Sequence, residues 1–145
     1  MDADPQTSID DLIDEFEFFD SWEDRYRYLI DLGRRRAHLD EADMVPANKV
    51  EGCMSQVWLT ARVEPGDPPH LFFQADSDAH IVRGLIAVLL IAYSGRTPQE
   101  ILDVDIEDVF RRLGLEEHLS PNRRNGFFAM TSTIRRYASA AAAAA

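Results

Sequence analysis

Apolar residues recur at helical spacing in Ile9, Leu12, Ile13, Phe16 and Phe19, directly behind Ser8 and Asp11, a weaker form of the capping box. The few residues before Ser8 are polar and expected to fray. A second start follows at once: Ser21 with Asp24 precedes Trp22, Tyr26, Leu29 and Ile30 on one helical face, and Gly33 is a natural stop. Residues 34 to 50 then read as a polar connection punctuated by Pro46. After Cys53 the period changes to two. Val57, Leu59, Ala61 and Val63 alternate with Trp58, Thr60 and Arg62, which predicts a half-buried strand. The turn Pro65-Gly66-Asp67-Pro68-Pro69 leads into Leu71 to Ala75, so the two strands should form an antiparallel hairpin. Val50 adds a short strand before the cysteine, giving a sheet of about three strands.

Asp76-Ser77-Asp78 is expected to cap the next helix. From Ile81 to Tyr93 nearly every position is apolar, the pattern of a helix buried on all sides, and Ser94-Gly95 ends it. Thr97-Pro98-Gln99-Glu100 combines an N-cap, a first-turn proline and a capping-box glutamate. Asp105 opens a further short helix with Ile106, Val109, Phe110 and Leu113 inward and Gly114 at its end. Ser120-Pro121-Asn122 restarts the chain into a last helix through Phe127, Phe128, Met130, Ile134 and Tyr137. Helices, then a small antiparallel sheet, then helices define an α+β class. Residues 1–138 read as a single domain, and residues 139–145 as an alanine-rich tail to which no function is assigned.

Composition narrows the function. A chain of 145 residues is long enough to bury a core without a disulfide or a metal. Its net charge of −11 argues against nucleic acid as a ligand, since a phosphate backbone wants a basic surface. The most apolar stretch, Gly84 to Tyr93, is far shorter than the ~20 residues a membrane helix needs, and the start carries no secretory signal. No membrane role is therefore expected. The chain has one cysteine, Cys53, which excludes an internal disulfide and a cysteine-rich zinc site. A lone free thiol is easiest to keep reduced in a cytoplasm.

A single cysteine is by default an inert small hydrophobe. Cys53 instead follows Gly52 and precedes Ser55 and Gln56 just before a strand, at a loop or strand tip where functional groups are displayed. His38, His70, His80 and His118 lie in no motif that ties them to it, and there is no resolving cysteine. A thiol acting alone can still exchange sulfur with another thiol.

The run Asn48-Lys49-Val50-Glu51-Gly52-Cys53-Met54-Ser55-Gln56-Val57-Trp58 resembles the cysteine loop of the SufE family. Three other stretches resemble that family in the right order. They are Trp22 with Arg25-Tyr26 to Leu32-Gly33, Asp76-Ser77-Asp78-Ala79 with Ile81 to Leu85, and Leu119 to Arg123 with Asn125-Gly126. Met54 departs toward an apolar residue, and Arg83 stands where Lys is common. The resemblance implies a SufE/NifU-like fold and a sulfur acceptor rather than an enzyme in its own right. In that role Cys53 takes sulfane sulfur from a pyridoxal-phosphate cysteine desulfurase of SufS or CsdA type. It stimulates that enzyme and passes sulfur to an iron–sulfur scaffold of SufBCD type. The resemblance also implies no cofactor of its own, since pyridoxal phosphate belongs to the partner. Gly52, Ser55, Gln56, Asp76, Ser77, Asp78, Arg83 and Arg123 are the loop and partner-binding candidates. Arg123 first, and Lys49 second, are the cations expected to lower the Cys53 pKa. The apolar helix from Ile81 is expected to shelter the thiol. The alternative is a structural or regulatory binding module in which the cysteine is inert.

Overall fold

The computed structural model describes residues 8–53 and 55–144. The expectation of a frayed start before Ser8 and the Met54 departure both lie outside the described residues. The architecture is α+β, with two strands and seven helices among the described residues. Helices α1 (Ile9–Glu17) and α2 (Trp22–Arg36) lead to two short 3₁₀ turns, Glu41–Asp43 and Pro46–Asn48. The hairpin β1 (Val57–Glu64) and β2 (His70–Ser77) follows. Then come α3 (His80–Tyr93), α4 (Pro98–Asp103), α5 (Ile106–Arg112), α6 (Leu115–His118) and α7 (Pro121–Ala144).

The capping residues act as the sequence implies. Ser8 and Asp11 form a reciprocal box, as do Thr97 and Glu100, and the Asp24 amide donates to Ser21. One core joins α1, α2, the hairpin, α3 and the later helices, and ten residues of α3 lie in it. That core therefore sits around α3, because a helix apolar all round can only be central.

Four expectations are corrected. The sheet has two strands, and the expected third is reduced to a bridge between Lys49 and Trp58. The segment turns away into the cysteine loop after one ladder bond, Val50 N–H to Val57 O at 2.8 Å. Gly33 does not end α2, which runs to Arg36. It lies where α2 crosses α3: a Cβ there would sit 2.6 Å from the Arg83 carbonyl carbon and from the Gly84 nitrogen. Asp76-Ser77-Asp78 does not cap α3. The strand runs through Ser77, and α3 starts behind Ala79 with no side-chain cap bond. Val63 alternates correctly but is half exposed, because the far end of the hairpin projects beyond the core. The four-residue α6 had no periodic signal, being too short to show one.

Candidate functional site: the Cys53 loop and its cavity

The segment between Val50 and Val57 is a loop held at its base. Its turn requires Gly52, whose φ of +90° is the left-handed region that side chains avoid. On one side the loop is tied by the Lys49–Trp58 bridge. On the other, the Gln56 amide donates to Asp78 Oδ1 at 3.1 Å, and Ser77 Oγ donates to the Gln56 carbonyl at 2.7 Å. Ser77 Oγ also accepts from the Ala79 amide at 3.2 Å. Asp76 is buried and takes Arg83 Nε at 2.8 Å and the Ser77 amide at 2.8 Å on the same oxygen. These residues brace the loop; they do not line the space in front of the thiol.

Cys53 is half-buried, and its thiol donates to the Gly126 carbonyl, with Sγ 3.6 Å from the oxygen. It opens on a cavity of about 410 Å³. The walls are Val82 and Leu85 from α3, Phe127 and Met130 from α7, and Val57 from β1. Ser55, Ser120, Asn122 and Arg123 give the polar part of the lining. Burial pushes the Cys53 thiol above its ordinary pKa, and no neighbouring cation offsets it. Arg123 lines the cavity and is exposed, yet does not lower the thiol; Lys49 lines a different groove altogether. No histidine lines the cavity; His118 instead stacks on Trp22 with ring centroids 4.4 Å apart. Among the described residues no group of His, Cys, Asp and Glu could hold a metal ion, and no helix is long and apolar enough to cross a membrane.

Of the residues singled out from sequence, the fold brings Ser55 and Arg123 to the cavity with Cys53. Gly52, Gln56, Asp76, Ser77, Asp78 and Arg83 shape the loop or its base. Beyond Arg123, the part that α7 plays through Gly126, Phe127 and Met130 is not found from the sequence. Gly126 was its visible sign, because a glycine inside a helical pattern marks a close approach. Here that approach is to Cys53, whose Sγ would lie 3.5 Å from a Cβ at Gly126.

Fold and site define a small α+β protein that presents one thiol over an apolar cavity, with no second thiol and no histidine beside it. This chain belongs to the SufE family: the model of its Fe–S metabolism associated domain matches residues 10–138. A SufE-like protein of Rhizobium etli is 50% identical over 139 residues, covering 94% of this chain and 93% of that one. A SufE-like protein of Rhizobium meliloti is 48% identical over 130 residues, covering 89% and 93%. The solution structure of a hypothetical protein from Thermus thermophilus has the same fold, with a TM-score of 0.74 at 20% identity over 93% of this chain and 96% of that one. Family membership assigns the chain a role in iron–sulfur metabolism.

Proposed function

We propose that the protein is the sulfur acceptor of a pyridoxal-phosphate cysteine desulfurase, of SufS or CsdA type, and that Cys53 carries the sulfur. The observation that supports this best is the isolation of the thiol. Cys53 is the single cysteine of the chain and sits at a cavity with an apolar wall and no histidine in its lining, and no metal site is found among the described residues. Such a group cannot complete a hydrolytic or disulfide cycle alone, but it can exchange sulfur with another protein.

In the step proposed, the Cys53 thiolate attacks the outer sulfur of the desulfurase persulfide. A new S–S bond forms to Cys53, the old one breaks, and the desulfurase cysteine leaves as a thiolate. Attack on the inner sulfur would expel hydrosulfide and leave a mixed disulfide, so docking geometry decides the outcome. Burial disfavours the thiolate in the free protein, so in this reading docking draws Cys53 out of the cavity or brings a cation to it. In this reading Arg123, which lines the cavity, meets the thiolate then. Asp76, Ser77, Asp78, Gln56 and Arg83 keep the loop in one shape for docking, and Gly52 and Ser55 complete it. The protein needs no cofactor of its own. The bound sulfur then passes to a scaffold of SufBCD type, in a reducing cytoplasm.

The test mixes the protein with its host's cysteine desulfurase, cysteine and a reductant, and follows sulfide release. Cys53→Ser should abolish the stimulation, and intact mass should show one added sulfur on Cys53 before reduction. Stimulation that survives the substitution unchanged would overturn the carrier role and leave a binding module with an inert cysteine.

A further inference from the structure

The segment that carries Cys53 has a second concavity behind it. A groove of about 290 Å³ lies between residues 47–51 and the last turns of α7. Its charged lining comes from a loop segment and one helix face. Lys49, in extended backbone, and Glu51, at the start of the turn into Gly52, both line the groove, while Val50 between them is buried in the core. Thr133, Arg136 and Tyr137 are three and four apart on one face of α7. Leu59, buried in β1, is an apolar part of the lining.

Lys49 is the single lysine of a chain that carries 15 Lys and Arg against 26 Asp and Glu. Among the described residues, none of Lys49, Arg136 and Glu51 forms an ion pair. The Arg136 guanidinium is held by donating to Thr133 Oγ1 at 3.2 Å, which leaves its other donors free. Two cations and one carboxylate thus line a small groove beside an aromatic ring and a leucine. Unpaired charges on an open surface are ordinary, but these converge on one concavity at the lower end of the size of small-ligand sites.

We infer that this groove binds a free α-amino acid in its zwitterionic form. The ligand carboxylate meets Arg136 and Lys49, its ammonium meets Glu51, and its side chain rests on Leu59 and Tyr137. A planar carboxylate suits the guanidinium fork. Glu51 excludes ligands that are anionic only, such as a peptide carboxyl terminus, which carries no adjacent ammonium. The site shares no lining residue with the Cys53 cavity and does not depend on the sulfur-acceptor reading.

The probe is L-alanine, titrated into the full chain and followed by amide NMR. Saturable shifts are expected at Lys49 to Glu51 and at residues 133–137, with an affinity on the order of millimolar, because each exposed charge contributes little. Arg136→Gln and Glu51→Gln should each weaken binding about fivefold. Arg62→Gln, on β1 away from the groove, should leave it unchanged. Propionate and ethylamine should each bind more weakly than alanine. The inference is overturned if no saturable shift appears up to the solubility limit, if the shifts saturate in Arg136→Gln as in the parent, or if propionate binds as tightly as alanine.

Discussion

At the scale of the residue, Cys53 shows how far environment departs from sequence context. Its neighbours in sequence include Lys49, and a nearby cation would make it a reactive thiolate. The fold sends Lys49 to another groove and buries half of the thiol against Gly126 and an apolar wall. Desolvation penalises the charged form, so at any given pH near neutrality the thiolate fraction is smaller than for a small free thiol. Iodoacetamide should therefore alkylate the free protein slowly, with a rate inflection above the ordinary value of about 8.5. Arg123→Gln should leave that inflection in place in the free protein. An inflection at or below the ordinary value would show that a cation outweighs burial.

At the scale of the element, the crossing of α2 and α3 depends on two glycines. A Cβ on Gly33 would sit 2.6 Å from α3 backbone, and a Cβ on Gly84 would sit 2.6 Å from the Leu29 carbonyl oxygen. Both distances are well inside contact, so either helix would have to move away. Gly33→Ala and Gly84→Ala should each destabilise the protein by roughly 1–3 kcal/mol, the usual cost of overpacking. The double substitution should cost less than the sum, because one separation of the helices relieves both clashes. Urea unfolding of the three variants checks this; full additivity would mean that the two sites do not share the crossing. From sequence Gly33 reads as a stop, since a glycine near a helix end and one at a crossing look alike. Arg83, a candidate for the loop and for partner binding, holds buried Asp76 beside the cysteine loop through its guanidinium.

At the scale of the whole molecule, one core connects the amino-terminal helices to the hairpin and to α7. Trp22 lies in α2 and Trp58 in β1, both partly buried, Trp22 against that core. Fluorescence of the two tryptophans and far-UV ellipticity should therefore report a single urea transition with coincident midpoints, as a one-domain chain requires. Separate midpoints would divide the chain into two cooperative units. The Cys53 cavity is also a property of the whole, since its walls come from β1, α3, α7 and the loop itself.

Sequence alone determined the features carried by local physics. Period-2 and period-3.6 patterns placed the hairpin and most helices, and Ser8, Ser21 and Thr97 start helices where their side chains satisfy free amides. It also singled out Cys53, because a lone thiol behind a glycine in the run from Asn48 to Trp58 is a local signature. Only the tertiary structure decided what surrounds that thiol. Gly126, Phe127 and Met130 are more than seventy residues away along the chain, and no local period encodes their meeting with Cys53. The same holds for Asp76 to Asp78. Their composition suits a helix cap, but the Gln56 backbone, twenty-two residues before Asp78, offers Asp78 and Ser77 better partners across the hairpin. The thiol was legible as a residue; its burial, its pKa direction and its cavity arise from contacts between elements.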